Sequence, residues 1–197
     1  MDNYKKMAQM AIDIFLEQDQ EKLLARYPLP CEDGCLKITF LGDEYRIDCA
    51  TGCMRRGDEQ ATPNQTLIVF DMLCNPVGEP HTAGRWCTMS EMSGASSSPG
   101  EGGLFDKRIA AFAGHADELR AACRALGAKE VSGGEVSFVI DVFEGLPVWM
   151  QFWDADDEFP ASMTFHWDSA TRLYLHFETL WYILFEVMDR LERLTFS

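Results

Sequence analysis

Residues 127–153 read GAKEVSGGEVSFVIDVFEGLPVWMQFW. Apolar and polar side chains alternate through Glu135–Phe143 and again through Leu146–Trp153, the period of two expected of a half-buried strand. Gly133-Gly134 and Glu144-Gly145 interrupt the alternation where tight turns fit, so this stretch is expected to be consecutive antiparallel strands, with a short first one near Lys129–Ser132. A further strand follows at Ser162–Trp167. Upstream the period is 3.6 instead, and Leu104–Ala113 and His115–Leu126 read as two helices broken at Gly114. Downstream, Tyr174–Leu194 aligns Phe177, Leu180, Trp181, Leu184, Val187, Met188 and Leu191, with Ile183 and Phe185 widening the stripe. A stripe this broad packs centrally or serves an oligomer formed through the C-terminal helix.

Working outward to the N-terminal half, Tyr4–Arg26 carries the apolar spacing of one amphipathic helix, ended by Pro28 and Pro30. Cys35–Phe40 and Tyr45–Cys49 flank the turn Leu41-Gly42-Asp43-Glu44 and read as a hairpin. Thr62-Pro63-Asn64-Gln65 has the form of a capping box with Pro at the first helical position. The helix it opens runs through Leu67, Ile68, Phe70 and Leu73 to about Cys74. Thr82–Met89 reads as a short extended segment, and Ser93–Gly103, rich in Ser and Gly, as a flexible loop. The fold class is α+β: a single domain over residues 1–197, with a largely antiparallel sheet covered by N-terminal, central and C-terminal helices.

The 197 residues are 47% hydrophobic and 25% charged, a globular profile. Folding a chain of this size removes roughly 23,000 Å² from water, enough for a core without cross-links. Thirty-two acids against 17 bases leave a net charge of −15. Nucleic-acid binding depends on Lys and Arg neutralising phosphates, and no basic cluster exceeds Met54-Arg55-Arg56. A nucleic-acid or anionic-membrane partner is therefore not expected. No secretory signal is visible, and the apolar run Leu180–Phe185 falls far short of a bilayer span. The expected location is cytoplasmic, where seven cysteines read as free thiols or metal ligands before disulfides.

Four of those cysteines suggest chemistry. Cys31, Cys35, Cys49 and Cys53 straddle the hairpin, and 31 + 53 and 35 + 49 share one index sum, 84. All four indices are odd, so in regular strands the side chains share a face. Such a quartet can supply a tetrahedral thiolate site for zinc or an iron–sulfur cluster. Free thiols, and a reversible Cys35–Cys49 disulfide, remain as alternatives. Cys74, Cys87 and Cys123 lie on separate elements and read as core residues. The second constellation is the bend Trp153-Asp154-Ala155-Asp156-Asp157-Glu158-Phe159-Pro160-Ala161. Its carboxylates can hold a hard cation or supply a general acid or base, or they can simply bond backbone N–H groups in a turn. The four histidines (His81, His115, His166 and His176) form no H-E-x-x-H pattern.

The run Thr82-Ala83-Gly84-Arg85-Trp86-Cys87-Thr88-Met89-Ser90-Glu91 resembles a T-x-G-x-W-x-x-x-x-E element. Asp156-x-Glu158-Phe159-Pro160-Ala161, followed by Phe165, Asp168-Ser169-Ala170, Leu175 and Glu178, resembles a closing D-x-E-F-P-A motif of the same family. That family is domain of unknown function number 3786, found largely in anaerobic bacteria and archaea. The likeness extends from about Lys37 onward and leaves out the Cys31–Cys53 quartet. It implies no assigned reaction. Some members are linked to iron–sulfur or corrinoid-dependent one-carbon proteins, which implies a setting in anaerobe metabolism.

If the two motifs converge, Trp86, Asp156, Glu158, Phe159 and Asp168 form an apolar platform edged with carboxylates, suited to a small ligand or a redox or one-carbon partner protein. The expected function is a binding or accessory domain using that surface. Two alternatives stand beside it: an acid–base or metal-assisted enzyme using Asp156 or Glu158, and a thiolate metal-binding protein through Cys31, Cys35, Cys49 and Cys53. The motif residues can equally be a fold signature, with Asp168 capping the last helix.

Overall fold

The computed structural model describes residues 3–75, 81–93 and 103–197. They form an α+β structure with two five-stranded antiparallel sheets. The chain divides into two compact units, Met1–His81 with Arg172–Leu184, and Thr82–Thr171 with Phe185–Ser197. No helix among the described residues is long and apolar enough to cross a membrane.

In the first unit, α1 (Asn3–Glu17) and α2 (Gln20–Arg26) replace the one helix expected over Tyr4–Arg26. Asp19 breaks it: its backbone is extended and its carboxylate accepts the Lys22 N–H, so a new helix starts there. The sheet runs β1 (Cys31–Glu32), β2 (Cys35–Phe40), β3 (Asp43–Asp48), β4 (Met54–Arg56) and β5 (Glu59–Gln60), in chain order. The β2–β3 register pairs Leu36 with Ile47 and Phe40 with Asp43. The turn is therefore the two residues Leu41-Gly42, both left-handed at φ +48° and +80°, the geometry that matches strand twist. Leu41 tolerates that backbone because its side chain is buried at 2% exposure. Burying a leucine contributes about 2 kcal/mol, which offsets a left-handed penalty of about 1–2 kcal/mol.

The helix α3 (Pro63–Cys74) opens with the expected capping box: Thr62 Oγ1 accepts the Gln65 N–H and the Gln65 side chain accepts the Thr62 N–H. It packs against α1, with the Phe15 and Phe70 rings 4.7 Å apart. The unit also holds the beginning, through Leu184, of α7 (Phe177–Thr195).

The second unit contains β6 (Trp86–Thr88), α4 (Met89–Ser93), α5 (Asp106–Ala110), α6 (Ala116–Ala125), β7 (Lys129–Glu130), β8 (Val136–Phe143), β9 (Leu146–Trp153), β10 (Ser162–Asp168) and the rest of α7. The strand order is β6-β10-β9-β8-β7, so the meander expected from residues 127–167 forms. Gly134 (φ +65°) lies so close to the Phe152 carbonyl that a Cβ would stand 2.7 Å from its oxygen. One face of this sheet is core, with Phe138, Val148, Met150, Phe152 and Trp167 at 0–1% exposure. Arg108 on α5 donates to Glu192 and Asp189 on α7 within the same unit. The segment expected to be extended, Thr82–Met89, is a strand only at Trp86–Thr88, because the Glu91 carboxylate accepts the Thr88 N–H and Oγ1–H and starts α4.

The Ser/Gly-rich loop expected at 93–103 falls almost wholly outside the described residues. The C-terminal stripe, expected to be a packing face or an oligomer surface, is covered within the chain: Leu180, Ile183, Leu184, Val187, Met188 and Leu191 are buried.

Candidate functional site

The buried residues of α3 are apolar except Thr66, whose hydroxyl donates to the Thr62 carbonyl, and Asp71, the one charged residue among them. Asp71 lies among Ile68, Phe70 and Leu73 at 8% exposure. A carboxylate in such a position needs partners that satisfy its charge. They come from the residue just before α7: Asp71 Oδ2 accepts the His176 backbone N–H at 2.8 Å, and Oδ1 meets His176 Nδ1 at 2.5 Å. The Asn75 side-chain amide adds a third bond, at 2.6 Å. All of these residues belong to the first unit.

The carboxylate only accepts, so the proton between the two groups sits on Nδ1. In the neutral imidazole the second ring nitrogen, Nε2, is then an acceptor. The His176 side chain is 63% exposed while Asp71 is buried. A groove of about 280 Å³ opens beside this pair, with Met7, Ala11, Ile14, Leu67 and Phe70 as its apolar wall and Glu178, Thr179 and Tyr182 along its other side. Cys74 also lines it, but burial, and then the negative charge of Asp71, pushes that thiol up to about 12. It stays protonated at neutral pH and is not a nucleophile there.

The groove contrasts with a larger depression of about 480 Å³ in the second unit, lined by Gly114, Ala116, Asp117, Glu118, Arg120, Glu135 and Asp154. There the carboxylates already have structural duties. Asp154 accepts the Gly114 N–H, Glu135 accepts the Asp154 N–H, and Asp117 pairs with Arg120.

The residues expected to form one platform do not converge. Trp86 pairs across the ladder with Asp168, at one end of β10. The bend with Asp156, Glu158 and Phe159 adjoins the other end, where Ser162 pairs with Trp153. Six residues of strand, about 20 Å, separate them. The expectation of an apolar platform edged by carboxylates is therefore corrected by strand register.

Trp86, Asp168 and Asp156 have local duties instead. Trp86 packs on Trp149, ring centroids 5.7 Å apart, and Trp149 on His166 at 5.0 Å. Asp168, 4% exposed, accepts the backbone N–H groups of Ala83, Gly84 and Ala170. Its place is at the start of β6, not at the last helix. Asp156 Oδ1 accepts the N–H groups of Glu158 and Phe159, and those bonds hold its carboxyl below the ordinary range. An ionised carboxylate locked in a turn is a poor general acid at neutral pH. Glu158 and Phe159 are exposed on that bend.

The cysteine quartet also departs from expectation. The register sum is 83, so Cys35 faces Asp48 rather than Cys49. Cys31 lies on a separate strand, because the chain reverses at Asp33-Gly34, both left-handed. Cys53 precedes β4 and contributes its carbonyl to the Asp48 N–H. Among the described residues, no three Cys, His, Asp or Glu side chains surround a common point suited to a metal.

The model of the family described as a domain of unknown function, DUF3786, matches residues 19–189. The chain belongs to that family. No curated protein and no solved structure matches it. The DUF3786 match includes both Asp71 and His176, whose pairing sequence reading missed because 105 positions separate them. One signal was available: an acidic residue on the buried stripe of a helix implies a partner elsewhere.

Proposed function

We propose that this DUF3786 chain is a small-ligand-binding domain and that its ligand occupies the groove beside Asp71 and His176. The observation that carries the reading is the pairing of a buried carboxylate with an exposed imidazole at the edge of an apolar groove. Asp71 sets the tautomer of the neutral imidazole, in which Nε2 accepts a hydrogen bond from a ligand O–H or N–H. Met7, Ala11, Ile14, Leu67 and Phe70 suit an apolar body on the same molecule. The ligand class is thus a small, partly apolar molecule bearing a hydroxyl or amine. A single family match running through residues of both compact units supports treating the chain as one domain.

A second reading, an acid–base enzyme, is favoured by the same pair rather than by Asp156 or Glu158. An imidazole oriented by a carboxylate, with Nε2 open to solvent, has the arrangement of a general base.

The test is an NMR screen of hydroxyl- and amine-bearing fragments that follows the His176 side chain. Hits should move the His176 resonances and vanish in Ala11→Phe, which fills the groove while keeping both Asp71 and His176. A ligand at 100 times its Kd should stabilise the fold by about 2.7 kcal/mol, or roughly 5–11 °C in Tm for a chain of this size. Hits that survive Ala11→Phe, or that leave His176 unmoved, overturn the assignment.

A further inference from the structure

The reversal at Asp33-Gly34 that dissolves the four-cysteine site creates a closer pair. Cys31 on β1 lies opposite Leu36 of β2, and Leu36 lies opposite Ile47 of β3. Directly opposed residues project from one face, so Cys31, Leu36 and Ile47 form a row across three strands. Cys49 is the residue just past the end of β3, two positions after Ile47. Its backbone N–H is anchored to the Gly34 carbonyl at 2.9 Å, which holds it beneath the same turn. The Cys31 thiol lies within electrostatic reach of the Cys49 thiol, as does the Leu36 N–H. Cys31 is exposed, while Cys49 is partly covered. Cys35 opposes Asp48 and so projects from the other face.

We propose that Cys31 and Cys49 are a dithiol modification site that closes to a disulfide by exchange with a low-molecular-weight disulfide. The exposed Cys31 reacts first. Its thiolate attacks one sulfur of the small disulfide, that S–S bond breaks, and one small thiolate leaves and takes up the proton Cys31 lost. Cys49 then gives up its proton and attacks the Cys31 sulfur, forming the Cys31–Cys49 bond and expelling the second small thiol. The protein loses two electrons and two protons, and the small disulfide gains both. Burial raises the Cys49 thiol above its ordinary value, so the closing step speeds up with pH. The two-residue strand β1 at the sheet edge can follow the Cys31 sulfur as the bond forms, because it is held to the sheet only through β2. The site is independent of the groove at His176.

The experiment oxidises the full chain, in a Cys53→Ser background, with glutathione disulfide and maps the products by mass spectrometry. Trypsin with a protease cutting before aspartate separates Cys31 from Cys35 at Asp33. The expected product is a peptide pair linked through Cys31 and Cys49, reversed by dithiothreitol. Cys49→Ser should stop at one glutathione on Cys31, and Cys31→Ser should give no link. Circular dichroism of the variants confirms that both fold. Two unlinked glutathione adducts, a Cys35–Cys49 link, a Cys31–Cys31 dimer, or folded protein that does not react would each overturn the proposal.

Discussion

Replacing Asp168 tests whether the family-like elements around Trp86 are held by one carboxylate. Oδ1 accepts the Ala83 and Ala170 N–H groups at 2.9 and 2.8 Å, and Oδ2 the Gly84 N–H at 2.8 Å. In Asp168→Ala all three donors lose their acceptor. Ala83 and Gly84 are exposed, so water replaces much of what they lose. Ala170 is 5% exposed, and its orphaned N–H costs about 2 kcal/mol, within the range for a buried unsatisfied donor. With a further 1–2 kcal/mol for the two wet bonds, the total is about 3–4 kcal/mol. Asp168→Asn keeps one acceptor for Ala83 and Ala170 but turns an NH₂ toward the Gly84 N–H. It should lose about 2 kcal/mol. For a chain of this length these losses correspond to roughly 6–16 °C and 4–8 °C in Tm. Denaturant unfolding followed by tryptophan fluorescence reads both, since Trp86 stands across the ladder from Asp168. If Asp168→Asn unfolds within about 0.5 kcal/mol of wild type, the noise of an ordinary surface change, the carboxylate does not hold this junction.

Two glycines with similar backbones should respond differently to a methyl group. Gly145→Ala (φ +76°, open space around the Cβ) should lose about 1 kcal/mol, whereas Gly134→Ala, which meets the Phe152 carbonyl at 2.7 Å, should lose about 3 kcal/mol or more; equal losses by urea titration would remove the packing argument. Burial lowers the His166 pKa, partly countered by Glu91. The folded state therefore takes up this proton less readily than the unfolded chain, and stability falls as pH drops below the unfolded value of about 6.5. His166→Gln should shrink the Tm difference between pH 7.5 and 5.5, and an unchanged difference would exclude His166 as its source. Burial pushes both the Cys74 and Cys123 thiols up to about 12. Brief iodoacetamide treatment of native protein at pH 8 should therefore leave both intact while the exposed Cys31 is alkylated; rapid native labelling of Cys74 would contradict its burial.

Features governed by short-range geometry were legible along the chain. The strands of residues 127–167, the capping box at Thr62 and the helix at the C-terminus all follow from periodicity and turn chemistry. Local competition accounts for the departures. Asp19 caps a second helix where apolar spacing alone implied one, and Glu91 starts a helix where an extended segment was expected. The two-residue turn at Leu41-Gly42 shifted the hairpin register by one. A side-chain period of two turns that shift into a change of face, so Cys35 and Cys49 part company.

By itself, the amino-acid sequence determined an acidic α+β chain of the DUF3786 family with strands, turns and caps near their observed places. Each of those depends on neighbours a few residues away. Only the tertiary structure decided that Asp71 meets His176, that Cys31 meets Cys49, and that Trp86 and Asp156 stand at opposite ends of β10. These pairings depend on register and helix docking, which the whole core selects together, so no local run of residues encodes them.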